Sequence, residues 1–183
     1  EGVLRFGDIH ELSGSRLGGL RRRWTAEGHD IDLVCGGPPG QGYSGIGHRR
    51  SYQVEKAEVP SNHLFREFVR VVRALRPRLF LFENVRGLLS GRWTAEGEKG
   101  EIWREVRETF GNIRGYEIGW SVVQAKSFGV PQNRPRVLLV GIRADLGAVL
   151  PSGDDRNETC NPRGLLPQGG VAAPDLIDAL SDL

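Results

Sequence analysis

The chain contains no methionine, and only three of its 25 cationic residues, Lys56, Lys99 and Lys126, are lysine. It begins at Glu1, as expected of a fragment or an incomplete gene product. The scarcity of lysine makes arginine nearly the sole cation. Guanidinium groups suit planar, bidentate recognition of phosphates and base edges, although a compositional bias of the source accounts for them equally well. Cysteine is scarce too. Cys35 and Cys160 have neither framework nor metal-ligand spacing, which excludes a disulfide scaffold and gives no metal site. Cys35 ends an apolar run and is expected to be a small buried residue. No apolar stretch approaches membrane-spanning length and no signal peptide opens the chain, so a soluble, cytoplasmic protein without membrane contact is expected. The 183 residues suffice for one domain with a sizeable core.

What is present alternates strand and helix patterns. Val3–Phe6 is a short strand candidate, Arg16–Trp24 a weak arginine-rich helix, and Asp30–Cys35 ("DIDLVC") a stronger strand. Gly36–Val59 has no periodicity and reads as one long functional loop. Ser61 is expected to cap a helix with Leu64, Phe65, Phe68, Val69, Val72 and Leu75 on one face, stopped by Pro77. Leu79–Glu83 ("LFLFE") is a continuous apolar strand of the parallel-sheet type. After a second loop, Asn84–Gly97, comes a helix near Glu98–Phe110 with Ile102, Trp103, Val106 and Phe110 inward. Tyr116–Gln124 and Arg136–Ile142 read as strands, and beyond Asp145 only "PDLIDALSDL" regains helical character. Alternation of this kind implies a three-layer α/β sheet with ligands beyond the carboxyl ends of its strands. The loops after Cys35 and Phe82 should therefore lie close together. "RWTAEG" occurs twice, at Arg23–Gly28 and Arg92–Gly97, within unrelated surroundings, so it marks no repeat architecture.

"GQGYSG" (Gly40–Gly45) matches G-x-G-x-x-G after a strand. A dinucleotide fingerprint needs those glycines to open a helix aimed at a pyrophosphate. The following "IGHRRSYQVEKAEVP" has no apolar helical face, no acidic residue ends a second strand at the right distance, and Pro38 and Pro39 remove amide donors. A P-loop is excluded because no Gly-Lys-Ser/Thr follows.

The same loop, "GGPPGQGYS", resembles the Pro-Cys-Gln loop of the DNA cytosine-5 methyltransferases, with Gly40 at the cysteine position. "FENV" (Phe82–Val85) resembles that family's Glu-Asn-Val motif, and "FGVPQNRPR" (Phe128–Arg136) its Gln-x-Arg-x-Arg motif before the strand "VLLVGIR". "GDI" (Gly7–Ile9) is similar to the motif beside the adenosine of S-adenosylmethionine. The resemblance runs from Gly7 to about Gly147, and "LIDALSDL" fits the segment leading to a target-recognition domain.

The resemblance implies an incomplete, Rossmann-like, three-layer methyltransferase sheet over residues 1–147 and a linker over 148–183. It implies methyl transfer from S-adenosylmethionine to C5 of a flipped cytosine in double-stranded DNA, as in bacterial restriction–modification, near the nucleoid. C5 of cytosine is a poor nucleophile; in the family a thiolate adds to C6 and activates it. Glu83 would then neutralise N3. At the end of an apolar strand, desolvation would favour its protonated form. Arg136 would hold the cytosine O2, Arg134 would support the pocket, and Asn84 and Gln41 would orient the base or the loop. Ser44 would meet DNA phosphate, with Arg49 and Arg50 as phosphate contacts and Gln132 on the DNA side. Asp8, Ile9, Pro38 and Leu64 map to the cofactor side; Asp8 could equally cap a turn and Leu64 could be core.

Three departures limit that transfer. Gly40 has no thiol, and Cys35 lies too early and faces the core. The N-terminal glycine-rich cofactor motif and the ribose-binding acid are absent, leaving an incomplete cofactor site, and so is the target-recognition domain. The chain is accordingly expected to be inactive by itself. A non-catalytic DNA- or cofactor-binding relative, paired with a second polypeptide that supplies the missing motifs, is the alternative.

Overall fold

The computed structural model describes residues 7–39, 43, 60–147 and 170–174. The strand expected at Val3–Phe6, most of the Gly36–Val59 loop, and the helix expected within "PDLIDALSDL" fall outside them.

Helix α1 spans Gly14–Ala26, longer at both ends than its apolar spacing predicts. The extension comes from Ser13, whose hydroxyl accepts the Arg16 amide at 3.3 Å and satisfies a free first-turn donor. Only Leu17 of α1 is buried. Strand β1 covers Leu33–Gly36, helix α2 Leu64–Leu75 and strand β2 Leu79–Val85. A 3-10 turn, Pro60–His63, leads into α2, so Ser61 is not its cap; His63 occupies that position without a side-chain capping bond. The buried face of α2 is Phe65, Phe68, Val69, Val71 and Val72, with Leu64 and Leu75 half-buried at its ends. The helix ends on Arg76 in the left-handed region (φ 53°), and its amide closes on Val72 O at 2.8 Å. Pro77 disfavours helical backbone on the residue before it, which fixes the stop there.

Helix α3 (Glu101–Gly111) buries Ile102, Trp103, Val106 and Phe110 as the spacing predicts. Strands β3 (Tyr116–Gln124) and β4 (Pro135–Arg143) follow. The four strands form one mixed sheet in the order β1-β2-β4-β3. β1 and β2 run parallel with Cys35 beside Leu81; β4 is antiparallel to both β2 and β3.

Alternation along the strands separates two faces. Phe80, Phe82, Leu139 and Trp120 point to the face covered by α2 and α3, where Phe68, Phe80, Phe82 and Phe110 form an aromatic cluster. Ring centroids there lie 5.0 Å (Phe82–Phe110) to 6.1 Å (Phe68–Phe80) apart, the range in which tilted aromatic pairs attract. α1 packs outside α2, and the Arg70 guanidinium pins the segment before it by donating to the carbonyls of Ile9 and Leu12. The other face carries Leu33, Cys35, Leu79, Leu81 and Glu83, and beside them Val140 and Ile142, which are buried. Cys35 is exposed rather than buried: among the described residues β1 lies at one end of the sheet, and Cys35 points away from the helices.

Candidate active site

Both loops expected to meet do so, at the carboxyl ends of the parallel strands β1 and β2. The strand alternation divides the "ENV" residues between the two faces. Asn84 points toward the helices and is buried at 3% exposure, while Glu83 points to the opposite face. Asn84 has two jobs there. Its Oδ1 accepts the Val85 amide at 2.8 Å, and its Nδ2 donates to Pro38 O at 3.1 Å. This ties the segment after β1 to β2 with both amide groups satisfied, as a buried amide requires.

Glu83 stands against two neighbours. Arg136 Nε donates to its Oε1 at 2.6 Å. The pairing follows from register: Arg136 lies opposite Val85, so it shares the face of Glu83 one diagonal step away. Its Nη1 also donates to Pro135 O at 2.9 Å. The other neighbour is Gly37, where a Cβ would lie only 2.7 Å from Glu83 Oε2. The carboxylate occupies the space that any side chain at position 37 would need. The expected desolvation of Glu83 is not found, since its side chain is 39% exposed and paired.

The remaining candidate residues divide. Arg134 and Gln132 sit exposed on the β3–β4 hairpin, and Arg134 does not join the Glu83 cluster. Asp8 and Ile9 lie at the start of a 3-10 turn that Arg70 holds to α2, the helix whose first residue is Leu64. Asp8 caps that turn: it accepts the His10 amide at 2.8 Å and pairs with the His10 ring at 2.7 Å, and these bonds hold its carboxyl below the usual range. Half-buried Ile9, Pro38 and Leu64 offer apolar surface, and Asp8 an acceptor, of the kind an adenine ring needs; the fit is partial because Asp8 already serves His10. Gly40, Gln41, Ser44, Arg49 and Arg50 lie outside the described residues.

Sequence reasoning missed Tyr43. It is buried at 4% exposure among Phe65, Phe82 and Leu88, and its hydroxyl donates to Asn62 O. Burial raises its pKa above the ordinary tyrosine value. The available signal was a single aromatic in a glycine-rich stretch, since a large ring with a polar tip seeks a core and a partner together. Pro38 and Tyr43 thus anchor the chain on either side of position 40.

A family model for "C-5 cytosine-specific DNA methylase" matches residues 3–169. The chain is 32% identical over 143 residues to the orphan methyltransferase M.SPRI of Bacillus phage SPR, covering 78% of this chain and 27% of that protein. It is 36% identical over 151 residues to the type II methyltransferase M1.HphI of Haemophilus parahaemolyticus, covering 80% and 37%. The chain therefore spans well under half the length of these relatives. Among solved structures, a prophage-encoded DNA modification methyltransferase of E. coli superposes with a TM-score of 0.54 at 26% identity, covering 81% of this chain and 35% of that one. The Entamoeba histolytica methyltransferase EhMeth shares the fold, with a TM-score of 0.50 at 15% identity over 77% of this chain and 38% of that one.

Proposed function

The chain belongs to the C-5 cytosine-specific DNA methylase family, and from that premise we propose that it is the catalytic segment of a DNA cytosine-5 methyltransferase whose nucleophile is lost at Gly40. The family acts on double-stranded DNA and takes its methyl group from S-adenosylmethionine. One observation carries the reading: Glu83 held 2.6 Å from Arg136, on the strand whose next residue ties down the Pro38 segment.

In this reading the Glu83 carboxyl serves N3 of a flipped cytosine, and Arg136 both holds that carboxyl and faces the O2 edge. Gly37 leaves room for the carboxylate, and Asn84 and Tyr43 fix the ends of the loop carrying position 40. Ile9, Pro38, Leu64 and Asp8 would hold the adenosine part of the cofactor. C6 of the base meets no thiolate, so C5 is not activated and no methyl group moves. Cys35 does not substitute, because it is held within β1, ahead of the loop that carries position 40. Gln41, Ser44, Arg49 and Arg50 serve base and phosphate, and Arg134 and Gln132 add to the DNA side. Residues 148–183 lead toward target recognition, and the protein works in the cytoplasm beside DNA.

The test is transfer of labelled methyl from S-adenosylmethionine to duplex DNA. The chain as it stands is expected to give none, and label in the DNA would overturn the proposed inactivity. In the Gly40→Cys chain, supplied with a relative's missing N-terminal and target-recognition parts, methylation is expected to appear, and a further Glu83→Gln change to remove most of it. Cofactor binding without transfer to any DNA in the Gly40→Cys chain would favour a binding subunit instead.

A further inference from the structure

Helix α1 buries a single residue, Leu17, although it packs along α2. Gly18, Arg21, Arg22, Thr25 and Ala26 recur at the spacing of one helical face. On a tightly packed helix such a face is apolar and filled. Here it lines an open groove of about 550 Å³ against Ala74, in the last turn of α2. That volume lies within the range of small-molecule sites. The Arg22 guanidinium folds back over Gly18, with its Nη1 3.5 Å from where a Cβ would stand. Gly18, Ala26 and Ala74 contribute nothing larger than a methyl group, which leaves a smooth apolar floor.

The groove is cationic because the acids at this end of the sheet, where β1 and β2 begin, are already engaged. Arg143 holds Asp30 at 2.8 Å and Asp145 at 2.7 Å, Arg78 holds Asp32 at 3.2 Å, and Arg23 holds Glu27 at 3.1 Å. Arg21 and Arg22 are exposed, and among the described residues neither guanidinium has an ion-pair or hydrogen-bond partner. Two guanidinium groups and the Thr25 hydroxyl therefore offer N–H and O–H donors to one space, the set from which a phosphate monoester accepts. The groove is also remote from the candidate active site. Ala74 lies roughly 15 Å along α2 from Leu64 at the helical rise, at the opposite end of the strands from Glu83. We propose that this groove is a mononucleotide site. Its phosphate sits on Arg21, Arg22 and Thr25, and its base lies over Gly18, Ala26 and Ala74. The assignment is independent of the methyl-transfer reading and of the cofactor side.

The experiment is calorimetric titration of the chain with guanosine 5′-monophosphate, which carries neither adenosine nor cytosine. Guanosine and inorganic phosphate are titrated separately. The variants are Arg21→Ala, Arg22→Ala and Ala26→Glu, all at exposed positions of α1, and circular dichroism checks that the fold is kept. Each arginine variant is expected to weaken nucleotide binding roughly tenfold, the loss of one charge-assisted contact. Ala26→Glu, which puts a carboxylate in the groove, is expected to abolish it. Arg23→Ala makes the same charge change on the same helix outside the groove and is expected to leave binding unchanged. Guanosine and phosphate alone should each bind more weakly than the nucleotide, since each fills half of the site. No binding of the nucleotide overturns the proposal. So does binding that the Arg21 and Arg22 variants retain, because the ligand then sits elsewhere, or binding that Arg23→Ala weakens equally, because the attraction is then diffuse. If poly-glutamate binds through Arg21 and Arg22 while the nucleotide does not, the groove is a protein-docking face and the proposal is wrong.

Discussion

The same six residues, Arg-Trp-Thr-Ala-Glu-Gly, take two structures in this molecule. At Arg23–Gly28 they finish helix α1. The Glu27 amide donates to Arg23 O at 3.1 Å, the His29 amide closes on Trp24 O at 2.9 Å, and Gly28 turns the chain away at φ 79°. This is a glycine-stopped helix end. At Arg92–Gly97 the residues form no helix. The Trp93 amide donates to Glu101, the Trp93 indole donates to Glu105 Oε2 at 2.9 Å, and its ring stacks on His63 at 4.8 Å and 16°. Intrinsic propensity is identical in the two copies and weak in both. The first inherits a helix already nucleated and capped by Ser13, so each residue only extends it. The second follows a 3-10 turn and Gly91, with no nucleus upstream, and its tryptophan finds partners on α3 and in the turn before α2 instead.

The two tryptophans are therefore not equivalent. Trp93→Ala removes a half-buried ring, a stack and an indole hydrogen bond together. It should cost about 2–3 kcal/mol, or roughly 5–10 °C in Tm. Trp24→Ala on α1 should cost less than about 1 kcal/mol, because its side chain makes no ring contact or hydrogen bond among the described residues. Thermal melts of the two variants read the difference directly. Equal losses would mean that tertiary partners do not distinguish the copies.

The two glycines sharpen the comparison at a smaller scale. Gly28 is needed for its backbone: no atom crowds its Cβ position, but φ is +79°. At Gly97 the limit is a neighbouring side chain: a Cβ there would lie 2.1 Å from Glu101 Oε1, so the carboxylate that accepts the Trp93 amide would have to move. Each Gly→Ala change should cost about 1 kcal/mol, for different reasons. Removing the Glu101 side chain by Glu101→Ala should relieve the Gly97→Ala penalty and leave that of Gly28→Ala untouched. A double-mutant cycle measures this coupling, and additivity at both positions would sink the argument.

The same contrast explains what was legible in the sequence. Helices α2 and α3 and strands β2 to β4 could be read because their apolar residues recur at the period of the element that buries them. Glu83 and Arg136 could be picked out by motif, but their contact could not. It depends on β4 lying antiparallel to β2 with Arg136 opposite Val85, a register that neither segment encodes alone. The same blindness placed Cys35 in the core, since "DIDLVC" does not reveal that β1 ends the sheet among the described residues. It also placed Arg134 in the pocket, although two positions along a hairpin suffice to carry a side chain out to solvent. Tyr43 escaped because its partner, the Asn62 carbonyl, is a backbone atom distant in sequence.

The smallest expected effect lies at the first residue of each copy. Arg23 Nε donates to Glu27 Oε1 at 3.1 Å across one helical turn, with 74% of the arginine side chain exposed. Such a pair is worth about 0.3 kcal/mol and is screened by salt. In the second copy the equivalent glutamate, Glu96, is not one helical turn from Arg92, because no helix joins them. Arg23→Ala should therefore lower the unfolding midpoint slightly at low salt, with the loss vanishing at high salt. Arg92→Ala should leave it unchanged at either. Paired denaturation curves at the two salt concentrations are the measurement. A salt-sensitive loss at Arg92 would mean that the second copy holds the helical ion pair its sequence permits, against the structure described for it.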